Sequence, residues 1–303
     1  MNLLKQLVRL AGLLLMIILV VGWTGNQTSP TPTPTLDSTT GSPEVTTTQK
    51  VKAATNTPPS FRRIDINKEL HIRQIRNGVF AVTHAFPWPA NSLIVEMANS
   101  DLVLVGTPYT PAAMNEVLAW IKEYFDERKI IEINTGYHVD NLGGNRALID
   151  KGIPVYGSDL TAQLLKERGE QTRQVILGML KGTMNESYYQ AQAEIPYVAP
   201  TYLFPLVQGL TLQFGDEGVD VYFPGPSQAP DKVVVYFPDK KVLFGGCMIL
   251  GGDQIGNTSD ADLKNWPLAV RKLEQFDVDI VVPGHGDRFD AGLIQHTIDL
   301  LTD

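Results

Sequence analysis

Two β-sheets packed face to face between outer layers of helix, an α/β sandwich, is the architecture the sequence predicts for residues 61–303. Three observations predict it. Short runs of Val, Ile, Leu and Phe alternate with helical apolar spacing in the order strands-then-helix, twice over. About 240 residues lie in this part of the chain, enough for one large domain with its own core. The side chains best suited to hold a metal fall just after separate predicted strands, where a rigid scaffold presents functional groups.

The elements follow in order. "NSLIVEMANSDLVLVG" (91–106) reads as two strands around an Asn-Ser turn. "AAMNEVLAWIKEYFDERK" (112–129) has the apolar spacing of a helix. "IIEIN" (130–134) is a strand, "NRALIDKG" a short helix and "IPVYGS" a further strand. Ser158 or Asp159 caps a helix over "LTAQLLKERG", with Gly169 as its stop. Residues 171–200 give no clear pattern. "LTLQFGDEGVDVYFPG" and "KVVVYFPDKKVLFGG" are hairpins. "DADLKNWPLAVRKLEQF" is a helix with an acidic start, "DIVVPGHG" a strand entering a loop, and "DAGLIQHTIDLL" a closing helix. No strict internal repeat is present.

Ahead of this domain the composition changes twice. Residues 1–23 have the form of a targeting segment: Lys5 and Arg9 precede a continuous apolar run from Leu10 to Val21. That run alone is short for a membrane span, which wants roughly 20 apolar residues. "LVVGW" has the shape of a lipoprotein cleavage box, but Trp23 stands where a lipidated cysteine would be. Cleavage after Gly22 and an uncleaved membrane tether both remain consistent with the sequence. Residues 24–60 are a Thr/Pro/Ser-rich linker without the apolar content to form a core. Together the two segments imply a folded domain outside the cytoplasmic membrane, periplasmic or at the cell surface.

The net charge of −8, and the lack of a basic cluster interleaved with aromatics, argue against nucleic acid as a partner. A small-molecule substrate and a monomeric domain are the expectations. The single cysteine, Cys247, cannot form an intrachain disulfide.

Within "NTGYHVDNLGGN" (134–145) lie His138 and Asp140; Cys247 follows "VLFGG", and His285 lies in "PGHG". Carboxylate, thiolate and imidazole are good zinc ligands, and three of them with a fourth position open is the catalytic pattern. Each residue has a bland alternative: a small core cysteine, a turn histidine, a helix-capping aspartate. Their shared position after separate strands favours the metal reading.

The stretches "INTGYHVDNLGGN", "VYFPGPSQAPDKVVVYFP", "VLFGGCMI", "GNTSDADLKNWP" and "VVPGHG" follow one another in the order seen in the metallo-β-lactamases. The resemblance runs from about Leu70 to the C-terminus and is to the branch whose second zinc uses Asp, Cys and His. It implies an αββα sandwich with the metal site along one edge of two mixed sheets. Asp140, Cys247 and His285 match the complete second-zinc triad, and His138 matches one ligand of the first zinc. Gly136 and Gln228 stand where the other first-zinc ligands would be, so the resemblance implies one zinc per chain. A family aspartate is Gly106 here, and a lysine that pairs the β-lactam carboxylate is Leu250. Asn257 matches a residue that polarises the substrate carbonyl. "HAFPWPANS" (84–92) falls where the family has a mobile loop over the substrate, where Trp88 would either press on a ligand or pack as the aromatic of a Pro-rich turn.

The implied function is an exported zinc hydrolase of a β-lactam or similar cyclic amide. His138 or Asp140 would orient or deprotonate the attacking water, Asn257 would polarise the carbonyl, and Trp88, Asn257 and Gln228 would contact substrate. Two alternatives stand beside it. One is a hydrolase of a lactone, ester or thioester, favoured by Leu250. The other is a non-catalytic binding protein, favoured by Gly136, Gln228 and Gly106.

Overall fold

The computed structural model describes residues 62–302. The targeting segment and the linker read from residues 1–60 lie outside the described residues. Eight strands form the first sheet, in sequence order: β1 (Arg63–Asp65), β2 (Leu70–Arg76), β3 (Val79–Ala85), β4 (Pro89–Glu96), β5 (Leu102–Val105), β6 (Ile130–Ile133), β7 (Val155–Ser158) and β8 (Tyr202–Phe204). Pairing is antiparallel from β1 to β5 and parallel from β5 to β8. The second sheet has five strands: β9 (Leu210–Phe214), β10 (Glu217–Tyr222), β11 (Val234–Phe237), β12 (Val242–Leu250) and β13 (Ile280–His285). Only β12 and β13 pair in parallel there. Two mixed sheets between helices are the layering expected from the sequence.

The inner faces supply the central core. Val79, Leu93, Val103 and Ile133 from the first sheet pack with Val219, Val235, Phe244 and Val282 from the second. Strands β5 and β12 are buried along their whole length, because both of their faces are covered. That explains why each reads as an unbroken apolar run rather than an alternation. On the outside of the first sheet lies α1 (Pro111–Phe125), burying Met114, Val117, Trp120 and Ile121 against Ile72, Phe80 and Leu104. On the outside of the second sheet lie the short α6 (Trp266–Arg271) and α7 (Leu293–Thr302). Trp266 is fully buried and donates from Nε1 to the Met248 carbonyl, 2.8 Å away, which fastens α6 behind the strand that carries Cys247.

Three expected helices change length. Thr110 caps α1 and Pro111 opens its first turn, but the helix ends at Phe125, short of Lys129. Asp126 there adopts φ 65, a left-handed conformation that cannot continue a helix. The helix after β7, α4 (Asp159–Leu180), is capped by Ser158 as expected, yet it runs straight through Gly169. Gly169 is a packing glycine: a Cβ there would meet the Tyr197 ring at 3.3 Å. The small helix-propensity cost, about 1 kcal/mol, is what letting that ring lie against α4 requires.

The helix expected to begin at the acidic "DAD" begins at Trp266 instead. Pro267 explains this, because a proline inside a longer helix would remove a hydrogen bond and clash with the preceding turn. Asp262 accepts from the Asn265 N–H and side chain and shapes the turn ahead of it. Residues 171–200, without a clear pattern in sequence, are the second half of α4, a 3-10 turn (Glu186–Tyr188) and α5 (Tyr189–Ala193).

Candidate metal centre

Three chain segments converge at one edge of the two sheets. The first follows β6 and enters α2 (Val139–Leu142), whose N-cap is His138, and then the short α3 (Asn145–Ile149). Asparagines hold this segment rigid. Asn134 donates to the Asn141 carbonyl at 3.1 Å and to Asn145 Oδ1 at 3.0 Å, and Thr135 Oγ1 donates to Asn141 Oδ1 at 2.6 Å. Asn141 then donates to Asp140 Oδ1 at 2.7 Å, which orients that carboxylate. Beneath them lies Glu132, fully buried, with Oε1 accepting from Asn134 at 3.2 Å. Burial pushes the Glu132 carboxyl well above its usual range, and the hydrogen bonds from Asn134 and the Gly106 backbone only partly oppose this. A carboxyl thus stands beside Gly106, the position where the sequence suggests a missing support for the metal loop.

The second segment is β12. Its pairing with β13 shifts register on both sides of Gly246, which has φ 53. Such a bulge re-aims the side chain beside it, here Cys247. The third is the end of β13, where His285 sits at the rim with its side chain 47% exposed. The His285 Nδ1 lies 2.7 Å from the Pro89 carbonyl oxygen, which only a protonated Nδ1 can satisfy. Nε2 is thereby directed at the other two residues.

Cys247 Sγ lies 3.1 Å from Asp140 Oδ2 and 3.8 Å from His285 Nε2, and His285 Nε2 lies 3.2 Å from Asp140 Oδ2. The three donor atoms fall within 4.8 Å of one another. Zinc bonds of about 2.0–2.3 Å in a tetrahedron put ligand atoms roughly 3.3–3.8 Å apart. The set therefore fits a zinc ion in both spacing and chemistry. Burial raises the Asp140 pKa, but the His285 hydrogen bond and the Lys232 charge more than offset this and hold the carboxyl well below its usual range. Burial lowers that of His285, yet Asp140 and Cys247 carry it above the ordinary imidazole value.

His138 does not join this group. Its Nε2 faces Asp260 Oδ2 at 2.9 Å, and the same carboxylate oxygen accepts from Tyr137 Oη at 2.6 Å. The hydrogen bond from His138 is the main reason the Asp260 pKa falls to about 2. In the sequence Asp260 is one of two aspartates in "GNTSDADLKNWP", and nothing there singles it out. Gln228 is buried, with Nε2 3.4 Å from the Asn257 carbonyl oxygen and Oε1 without a partner among the described residues. The Asn257 side chain accepts from the Ser259 N–H at 3.0 Å.

These residues share a cavity of about 710 Å³, within the size range of small-molecule sites. Trp88, Gln228 and Asn257 line it, as do His138, Asp140, Cys247 and His285. Much of the rest is apolar: Val175, Ile176 and Met179 from the unexpected second half of α4, with Ile249, Leu250 and Ile255. Arg168 is its one lysine or arginine among the described residues.

A model of the family described as the metallo-beta-lactamase superfamily matches residues 85–285. The chain belongs to that superfamily. The metallo-beta-lactamase type 2 of Bacillus cereus is 29% identical over 217 residues, spanning 70% of this chain and 73% of that protein. The type 2 enzyme of Pseudomonas aeruginosa is 29% identical over 236 residues, 76% of this chain and 83% of that one. Among solved structures, a metallo-beta-lactamase from Pontibacter korlensis superposes with a TM-score of 0.64 at 32% identity, covering 78% of this chain and all (100%) of that one. DIM-1 metallo-beta-lactamase, in a structure exposed to ceftazidime, gives 0.62 at 26% identity, covering 77% and 96%. The metallo-β-lactamase fold expected from the sequence is the fold of this chain.

Proposed function

We propose that this metallo-β-lactamase homologue is an exported hydrolase that opens a β-lactam or similar cyclic amide, using one zinc held by Asp140, Cys247 and His285. The observation that carries the reading is the meeting of those three donors, at tetrahedral spacing, on the wall of a cavity large enough for a small molecule. A zinc ion bound there would supply Lewis acidity and electrostatic stabilisation of the departing anion.

The chain's own residues carry the remaining work. Asp260, fixed on His138 Nε2, holds the imidazole in one orientation, as a base is held by a third group in other hydrolases. His138 then takes the proton from the attacking water. Asn257, on the cavity wall, polarises the substrate carbonyl. Trp88 and the apolar lining bury the rest of the substrate and exclude bulk water.

A lactone, ester or thioester is the second reading. Leu250 and its apolar neighbours favour it, because they offer nothing to pair a substrate carboxylate on that side. The test is turnover of chromogenic cephalosporins, lactones and thioesters by purified protein with zinc and with chelator. Chelator-sensitive hydrolysis of a cyclic amide is the expected result. Activity confined to lactones or thioesters would move the assignment to the second reading. No turnover of any panel member would leave a binding protein on this scaffold.

A further inference from the structure

Beside the Asp140/Cys247/His285 group lies a positive charge that is not part of it. Lys232 belongs to the loop between β10 and β11, and the Val233 N–H donates to the Thr135 carbonyl at 3.1 Å, which lays that loop against residues 135–136. The lysine is 1% exposed. Its Nζ is sealed from solvent and has no hydrogen-bond partner among the described residues. A Cβ at Gly136 would lie 2.8 Å from Nζ, 2.9 Å from Cδ and 3.1 Å from Cε. The lysine side chain therefore fills the volume that a side chain at position 136 would need.

Burial disfavours an ammonium, but Cys247, Asp140, Asp231 and Asp260 are close enough to more than offset it and keep Lys232 protonated. The influence runs both ways, since Lys232 helps to hold Asp140 ionised. Elsewhere in the centre, His138 Nε2 is engaged by Asp260, and Gln228 Nε2 lies 3.4 Å from the Asn257 carbonyl oxygen. An uncompensated buried charge is costly, and the charges of Asp140, Asp231 and Asp260 supply the compensation for this one.

We propose that Lys232, packed into the space left by Gly136, takes up the volume a second metal site would need, so that the centre takes one divalent metal ion and admits no second ion beside it. This rests on the single-metal reading above and adds its cause. Gly136 is then not simply a lost ligand. It is the partner in volume of Lys232, and imidazoles added at positions 136 and 228 would not by themselves create a second site.

The test counts metal. Full-length protein is stripped, dialysed against excess zinc and measured by elemental analysis, with cobalt absorption as a second readout. Wild type and Gly136→His/Gln228→His should each hold about one ion, and Gly136→His/Gln228→His/Lys232→Ala about two. Two ions in the double variant, or one in a folded triple variant, would overturn the proposal. No ion in wild type would instead sink the metal reading itself. Because the double variant is crowded, Gly136→Ala is also compared in wild-type and Lys232→Ala backgrounds by thermal melting in chelator. It should lower Tm by several degrees beside Lys232 and far less without it. Equal losses would show that the two residues do not compete for the same space.

Discussion

His138 and Asp260 are 122 residues apart in the chain, and their side chains meet at 2.9 Å on the cavity wall. This pairing holds His138 apart from the metal donors, and in the proposed reaction it makes His138 a held base. If the two act as a unit, their effects will not add. His138→Ala should lower kcat by about 100-fold or more, the usual range for loss of general-base catalysis. Asp260→Asn should lower it roughly 10-fold or more and alter the pH profile, with metal content unchanged. The double variant should be no slower than His138→Ala alone. Multiplying losses would show that Asp260 acts independently, as a structural residue of its loop.

Cys247 is the soft ligand in the proposed set. Cys247→Ser replaces a thiolate by a weakly coordinating hydroxyl. Zinc affinity should fall by more than the roughly 10–100-fold that loss of a supporting hydrogen bond costs. The fold should persist, since serine fills nearly the same volume. In wild type, alkylation of Cys247 should be slow with zinc and accelerate when chelator is added. Equal rates in both conditions would mean that burial, at 8% exposure, protects the thiol rather than a metal.

Much of the fold is legible in the sequence because the strands are short, strongly apolar and bounded by turn residues. Strands β5, β6, β7, β12 and β13 lie where the pattern puts them. The misses have tertiary causes. Gly169 carries a local stop signal, and only the Tyr197 ring packed against it shows why the helix continues. The apolar lining from Val175 to Met179 is therefore invisible in the sequence as part of the site. Asp140, Cys247 and His285 are readable from residue type and position after strands. Asp260 and Lys232 are not: one of two aspartates before a proline-bearing helix and a single Lys in a loop look like surface charges. Their meaning comes from partners brought together only by folding.

Arg168 offers a way to separate substrates. It is the only arginine or lysine lining the cavity among the described residues, and Leu250 lines the same cavity. A carboxylate-bearing β-lactam would find its cation in Arg168. Arg168→Ala should raise KM for such substrates about 5- to 10-fold, as expected for one partly exposed charged hydrogen bond. It should leave KM for uncharged lactones unchanged. An equal effect on both classes would show that Arg168 shapes the cavity, for which its proximity to Asp260 gives a route.

His84 predicts how the domain responds to mild acid. It is 5% exposed, accepts the Tyr109 N–H on Nδ1 at 3.2 Å and stacks on Phe86. Burial lowers its pKa to about 4, against 6.5 for a free imidazole. The neutral ring is thus the folded form, and the unfolded chain takes up the proton first as pH falls. Stability from this residue is fully present above pH 6.5 and is lost progressively down to about pH 4. The loss should be roughly 3 kcal/mol, since each pH step of one between those two values removes about 1.4 kcal/mol. Carboxylates such as Asp260, held at about 2, lose their contribution only at lower pH, so the two windows separate. Thermal unfolding in chelator at about pH 7, about 5.5 and about 4.5 should show Tm falling in wild type across the window set by the His84 ring. His84→Asn can keep the acceptor for Tyr109 without a titrating ring, and it should flatten that fall. Parallel curves for the two proteins would assign the acid sensitivity to other groups.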